Sequence, residues 1–379
     1  MRILHVIPSF APAWCYGGAI EAVYQLCRHL ARSGHEVRVL TTDANGSCNV
    51  LSIDTDREIE MSPGLRVRYC HRLAPESISP RLLWSLPSYL RWADVVHLTA
   101  VYSFPTLPTL MGCKVLNKPT IWSPRGALQR WSGSSHPMLK AIWERCCQPV
   151  APKRLVLQLT SDAERRESLE RFPASETIVI PEGVEIPDEV TYASADGALC
   201  LAFLGRLDPK KGIENLFHAC CVLNGISSRN WSLTLAGAGD PYYTEALRAL
   251  RDDLALSQQV VLVGEVTREA KRKFFEDVDI LVVPSYTENF GMVVAEALAH
   301  GVPVIASKGT PWERLEEMGC GLWVDNDPKS LADAIARMSR MPLRDMGLRG
   351  RRWMEEEFAW PFVAQQMVQL YQCLMVPSS

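Results

Sequence analysis

The chain has 379 residues, of which 47% are apolar and 22% charged, and a formal net charge of −3. These values fit a globular protein long enough for two domains and exclude a disordered or collagen-like chain. No window reaches the roughly 18 apolar residues of a membrane span, and the twelve cysteines show no Cys-x-x-Cys pairing, so free thiols in a reducing compartment are expected rather than disulfides or a zinc site.

The first apolar run, residues 3–7, is interrupted by His5 and is too short for a signal peptide. It reads as a strand, with a cytoplasmic location expected. Tyr16-Gly17-Gly18-Ala19 follows its loop; the glycine pair would let backbone come close to a phosphate or an acceptor, or would simply form a loop. Residues 19–33 carry apolar side chains at helical spacing and stop at Gly34. Further strands are expected at 36–41, 65–69, 95–98, 119–122, 155–159 and 177–180.

The strand at 95–98 carries His97 and leads to Thr99. His97 is either a satisfied histidine of the sheet or a contact to a sugar, and Thr99 can hydrogen-bond a hydroxyl without sharing a charge. After the next strand comes Ser123-Pro124-Arg125-Gly126, where Arg125 suits an anion or acceptor contact or a structural ion pair. From Arg57 to Arg154 there are 14 Lys and Arg against five acids, interleaved with Trp84, Trp92, Trp122, Trp131 and Trp143. That pattern fits either a basic solvated face over core tryptophans or a surface that rests on an anionic membrane. No nucleic-acid motif accompanies it.

Residues 181–197 are rich in turn formers and lack periodicity, which marks a domain boundary. Beyond it, strands are expected at 199–204, 232–236, 260–263, 280–283 and 303–306, again alternating with helices. Strand and helix in alternation argue for an α/β protein with parallel sheets. A last helix, about 360–375, needs a surface for Phe362, Val363, Met367, Leu370 and Tyr371.

Chemistry concentrates in this second half. Gly205-Arg206-Leu207-Asp208-Pro209-Lys210-Lys211-Gly212 follows a strand, so Arg206 and Lys211 are expected at its carboxyl end, where two fixed cations suit a diphosphate. Tyr286-Thr-Glu288-Asn289-Phe290-Gly291 leads from the strand at 280–283 into a helix over 292–300 that contains Glu296. Glu288 could accept hydrogen bonds from sugar hydroxyls and Glu296 could hold a ribose diol, because a carboxylate offers several acceptor sites in one plane. Asp277-Val-Asp279 spells a metal-binding triplet but precedes its strand, so no metal is expected.

Taken together, Gly-Arg-Leu-x3-Lys-Gly at 205–212 and Glu-x-Phe-Gly-x4-Glu-Ala at 288–297 resemble the signatures of the retaining GT-B glycosyltransferases of family 4. The resemblance implies two Rossmann-like domains that face a cleft, with residues 1–182 as the acceptor domain and 183–198 as a linker. Residues 199–358 would form the nucleotide-sugar domain, and 359–379 a helix returning to the first. It further implies that Arg206 and Lys211 hold the donor pyrophosphate, Glu288 the sugar and Glu296 the ribose. Gly17, Gly18, Asn289, Phe290, Gly291 and the backbone of Val266 would complete the donor site. Glu288, Arg206 and Lys211 carry the catalytic expectation; His97, Thr99 and Arg125 are the candidate acceptor or sugar contacts. Many family members have His-x-His where this chain has His97-x-Thr99, so the family's catalytic histidine does not carry over. The implied activity is transfer of a hexose from a nucleoside diphosphate sugar, without a cofactor, to a glycan or polyprenyl-linked acceptor, in the setting of surface polysaccharide assembly. A nucleotide-sugar epimerase and a non-catalytic binding subunit are the competing classes.

Overall fold

The computed structural model describes residues 1–46, 49–75, 77–129, 136–190, 197–226, 230–268 and 270–376. Two compact units result, one formed by Met1–Gly183 together with the segment from Trp360 on, the other by Val184–Ala359.

The first unit holds strands β1 (Arg2–Ser9), β2 (Glu36–Thr42), a small hairpin β3 (Ala44–Asn45) and β4 (Asn49–Val50), then β5 (Glu58–Ser62), β6 (Leu65–Cys70), β7 (Val95–Thr99), β8 (Thr120–Ser123), β9 (Leu155–Leu159) and β10 (Glu176–Val179). Its helices are α1 (Gly18–Arg32), α2 (Pro80–Trp92), α3 (Thr106–Val115), α4 (Pro137–Val150) and α5 (Asp162–Arg171). The sheet order is β10-β9-β8-β7-β1-β2-β6-β5. Seven of these strands run parallel; β5 pairs antiparallel with β6 at the edge. Its sequence, Glu-Ile-Glu-Met-Ser, is half-exposed and acidic, so it lacks the apolar run that betrays the other strands.

Alternation along β1 sorts the core. Ile3 and Ile7 face a layer containing Val23, Leu26 and Leu30 of α1, while Leu4 and Val6 face Leu82, Leu86 and Trp122. The last helix of the chain, numbered α12 (Trp360–Met375), joins the first of these layers through Trp360, Val363, Met367, Leu370 and Tyr371. It therefore belongs to the first unit.

In the second unit, strands β11 (Leu199–Leu204), β12 (Trp231–Ala236), β13 (Val260–Gly264), β14 (Ile280–Val283), β15 (Val304–Ser307) and β16 (Gly321–Val324) form a parallel sheet in the order β13-β12-β11-β14-β15-β16. Helices α6 (Ile213–Ile226), α7 (Pro241–Asp253), α8 (Lys271–Glu276), α9 (Met292–Ala299), α10 (Pro328–Met338) and α11 (Leu343–Trp353) cover it. The edge strand β16, which opens on Gly321 and is only partly buried at its second half, was not expected from the sequence. All cysteines among the described residues carry free thiols; Cys48 lies outside them.

His97 lies inside the first unit. It is fully buried on β7, with its ring nitrogens 2.8 Å from the Tyr371 hydroxyl and 2.6 Å from Ser123 Oγ. Ser123 donates its one proton to Gln158 Oε1 (2.5 Å), so it accepts from His97 Nε2–H, and Tyr371 donates to Nδ1. The Gln158 amide ends the chain by donating to the Ile180 carbonyl at 2.6 Å. His5, also fully buried, lies beside His97, with 4.6 Å between ring centroids and the rings tilted by 35°.

Burial holds both imidazoles neutral, pushing His5 down to about 3 and His97 well below its usual value, with the Arg125 charge acting in the same direction. In the unfolded chain both titrate near 6.5. The stability tied to their neutrality is thus fully present above about pH 6.5 and is lost as the pH falls toward the folded values. Each histidine removes about 1.4 kcal/mol per pH unit in that window. Urea midpoints measured from pH 7.5 to 5.0 should fall steeply below 6.5 in the native chain and less in His5→Phe; parallel curves would disprove this origin.

Candidate functional site

In an open parallel sheet, ligands bind beyond the carboxyl ends of the strands where the strand order reverses. In the second unit that point lies between β11 and β14. Arg206 and Lys211 follow β11, and Glu288 to Gly291 follow β14, so both groups stand there.

Beyond β11 the chain turns through Asp208, whose side chain accepts from Lys210 N at 3.0 Å, and through the short 3-10 turn Pro209–Lys211. It enters α6 through Gly212, whose φ of +64° is left-handed. A Cβ there would stand 2.2 Å from the Pro284 carbonyl oxygen, so only glycine lets this loop lie against the end of β14. Tyr286 N donates to the Lys210 carbonyl at 2.8 Å and Glu288 N to the Gly309 carbonyl at 2.8 Å. Three loops, after β11, β14 and β15, are thereby tied together by backbone.

Onto that frame the side chains converge. Lys211 Nζ pairs with the Glu288 carboxylate, and both are largely buried. Ser285 Oγ donates to the same Glu288 oxygen at 2.7 Å. Burial lowers the Lys210 ammonium, the neighbouring Lys211 charge adds to this, and Glu288 opposes it. Arg206 is exposed and has no ion-pair partner among the described residues. The loop therefore offers one free guanidinium and one ammonium already aimed by a carboxylate, an arrangement suited to a diphosphate.

Asn289, Phe290 and Gly291 lead into α9. Gly291 sits at φ +78°, no side chain caps the helix start, and Val294 N returns to the Gly291 carbonyl. The Trp312 indole fixes this turn by donating to the Phe290 carbonyl at 2.5 Å. Its ring lies 3.3 Å from where a Gly291 Cβ would be. Along α9, Glu296 pairs with Lys271 of α8 at 2.6 Å. Sequence reasoning missed both Trp312 and Lys271. Neither stands near the residue it serves in the chain, and neither lies in a recognisable pattern.

The remaining second-unit expectations have plain positions. Val266 follows β13 and packs partly against the α9 side of the sheet. Gly237 N donates to the Gly264 carbonyl, and Leu207 N to the Ala238 carbonyl, which brings the loops after β11, β12 and β13 together. Asp279 accepts from Cys200 N at 2.8 Å and so joins β14 to β11. Among the described residues no three His, Cys, Asp or Glu side chains cluster as a metal would require.

In the first unit, the strand order reverses between β1 and β7. A cavity of about 470 Å³ lies there, lined by Ser9 of β1, Thr99 of β7 and Arg125 beyond β8, among others. Gly17, at φ +78°, precedes the first turn of α1, whose Ala19 and Ile20 also line it. Arg125 has a left-handed φ of +51°, and its guanidinium, 6% exposed, pairs with Glu182. Burial lowers its pKa to about 10, against the opposing charge of Glu164, so it remains a cation at neutral pH. Glu164 itself holds the turn from below by accepting from Gly126 N at 2.6 Å and Thr160 N at 2.8 Å. Arg130 and Trp131 lie outside the described residues.

Family models match both halves of the chain. Residues 189–353 match the family described as Glycosyl transferases group 1, and residues 16–186 match Glycosyltransferase Family 4. The D-inositol 3-phosphate glycosyltransferase of Kineococcus radiotolerans is 26% identical over 421 aligned positions, covering 97% of this chain and 93% of that protein. The uncharacterized glycosyltransferase MJ1607 of Methanocaldococcus jannaschii is 31% identical over 188 residues; the match spans 48% of this chain and just under half, 46%, of that protein. Among solved structures, Anabaena Alr3699/HepE in complex with UDP and glucose superposes with a TM-score of 0.74 at 17% identity, covering 98% of this chain and 100% of that one.

Proposed function

Because the chain belongs to the group 1, family 4 glycosyltransferases of GT-B fold, we propose that it moves a hexose from a nucleoside diphosphate sugar, with retention and without a metal, to a hydroxyl of a glycan or lipid-linked acceptor. The observation that carries this reading is the meeting of Lys211, Glu288 and Ser285 beside Arg206 at the strand-order reversal of the second unit. A structural neighbour of the same fold holds UDP and glucose, which supports a nucleotide-sugar donor.

In this reading Arg206 and Lys211 take the pyrophosphate, and the start of α9 at Gly291 faces the charge that grows on the leaving group. Glu288, held by Ser285 and by its backbone tie to Gly309, positions the sugar hydroxyls and stabilises positive charge at the anomeric carbon. Glu296 receives the ribose diol, Asn289 and Phe290 shape the turn, and the Val266 backbone meets the base. Gly17 and Gly18 give close backbone approach, while Thr99 and Arg125 meet the acceptor. The departing phosphate takes the proton of the attacking hydroxyl, so no covalent enzyme intermediate is required.

A thermal-shift panel of UDP, GDP, ADP and their common sugars, with and without EDTA, tests the donor side. Binding to the native state raises the apparent Tm by mass action. One nucleotide family should stabilise the native chain regardless of EDTA and fail to stabilise Arg206→Ala/Lys211→Ala. Indifference to every nucleotide, or a shift that the double variant retains, would remove the reading.

The acceptor is proposed to be presented at an anionic membrane surface during assembly of a surface polysaccharide. Among the described residues no helix is long and apolar enough to cross a membrane. Of the tryptophans in the basic segment, Trp122 is buried and Trp84, on α2, is 86% exposed. The adjoining helices α3 and α4 expose Met111, Val115, Met138, Leu139 and Ile142 beside Lys114 and Lys140. Apolar side chains ringed by cations suit an interface of that kind. Flotation with vesicles should rise with the fraction of anionic lipid; equal binding to neutral vesicles would defeat the membrane part.

A further inference from the structure

Lys271 opens the short helix α8, and little in that helix recommends a lysine there. The amino end of a helix carries a partial positive charge that disfavours cations. α8 has no side-chain cap and, among the described residues, no acid in its first turn. Arg272, the next residue, is answered within the helix by Glu276 at 3.3 Å, and Lys273 is exposed. Lys271 instead reaches across to α9, where its ammonium meets Glu296 Oε1 at 2.6 Å. Neither side chain is closed off, since 32% of the lysine and 18% of the glutamate remain exposed.

Both partners are held in place. The Lys271 backbone N–H donates to the Thr267 carbonyl at 3.1 Å, so the lysine follows directly on Val266, whose backbone is read as meeting the base. The Glu296 carbonyl accepts from His300 N at 3.1 Å and from His300 Nδ1–H at 2.7 Å. Val266, Phe275 of α8, and Val294 and Leu298 of α9 belong to one apolar cluster. The loop after β13, α8 and α9 are thereby packed together, and Lys271 links the segment read as meeting the base to the carboxylate read as holding the ribose. A carboxylate can only accept and an ammonium can only donate, whereas a hydroxyl does both. A hydroxyl that donates to Glu296 therefore keeps acceptor capacity on its oxygen, and an ammonium 2.6 Å from that carboxylate is within reach of it.

We propose that Lys271 is a ribose-recognition residue: its ammonium donates to the oxygen of a ribose hydroxyl whose proton Glu296 accepts, so that the pair selects ribonucleotide over deoxyribonucleotide donors. The proposal rests on the reading of Glu296 as the ribose-holding carboxylate and adds to it a residue that fixes donor specificity. An ion pair that served only to join α8 to α9 would make no such selection.

Calorimetric titration of the native chain with UDP, GDP and ADP, and with the 2′-deoxy and 3′-deoxy form of each, tests it. One ribonucleoside diphosphate should bind about tenfold or more tightly than at least one of its deoxy forms, the factor expected of a hydrogen bond to a charged group. Lys271→Met keeps the stem and removes the donor; it should cut that ratio about fivefold or more by weakening the ribonucleotide, with the deoxy form held within about twofold of its native affinity. Lys271→Arg should restore most of the ratio. Lys271→Gln replaces the methionine variant if that one melts below the assay temperature, and should likewise lose the ratio. A lower melting temperature with the ratio intact would mark a purely structural pair and overturn the proposal alone. Failure of the native chain to bind any of the three ribonucleotides would overturn it together with the donor reading on which it rests.

Discussion

Replacing Lys211 by alanine should lower turnover at saturating donor by on the order of 10²–10³-fold, the loss that follows removal of one preorganised donor to developing charge. Lys211 is engaged by Glu288, so the ammonium is already oriented toward the loop and little side-chain entropy remains to be lost when a diphosphate binds. The Glu288 carboxylate also accepts from Ser285 Oγ at 2.7 Å, a bond that does not depend on the lysine. Removing the lysine alone also strands a largely buried carboxylate, which confuses a stability effect with a catalytic one. Lys211→Ala/Glu288→Gln separates them: it should recover the stability of the single variant and none of its activity. Turnover within threefold of the native value for Lys211→Ala would show that Arg206 and the α9 turn suffice.

Gly212→Ala should destabilise the second unit strongly. A β-carbon at φ +64° carries a conformational cost of about 1–2 kcal/mol, and here it also enters the Pro284 carbonyl at 2.2 Å. Backbone cannot swing aside as a side-chain end can, so the loop must leave β14 or the strand end must shift. A total of about 3–5 kcal/mol is expected from urea denaturation. Nucleotide stabilisation should vanish with it, because Tyr286 N and Lys210 O are bonded across the same contact. A loss below about 1 kcal/mol would mean that the loop yields freely and does not frame the site.

The alternation of apolar runs and helical periods disclosed nearly every parallel strand, because a strand buried on both faces must be apolar throughout. Ile280–Val283 and Leu199–Leu204 stand where the sequence put them. β5 escaped because an edge strand half in water needs no such run. The site divides the same way. Arg206, Lys211, Glu288 and Glu296 were legible because each sits within a few residues of a turn that local sequence defines. Lys271 on Glu296, Trp312 on Phe290, Glu182 on Arg125 and Tyr371 on His97 were not. Each of these contacts spans at least 22 residues of chain, and only the fold decides which distant side chain arrives. His97 shows the consequence. From the sequence it was either a sugar contact or an internal histidine, and its partner from the far end of the chain makes it internal.

The last helix carries one more implication, for biosynthesis. Val184–Ala359 interrupts the first unit, whose sheet packs against α12 through Val363, Met367 and Leu370. A nascent chain therefore presents the apolar face of β1 and α1 without its cover while the whole second unit is translated, about 10–35 s at ordinary elongation rates. The second unit, contiguous in sequence, can close as soon as it emerges. The amino-terminal half is thus the last to be finished, although it is the first to be made, and it is the half on which a holding chaperone would act.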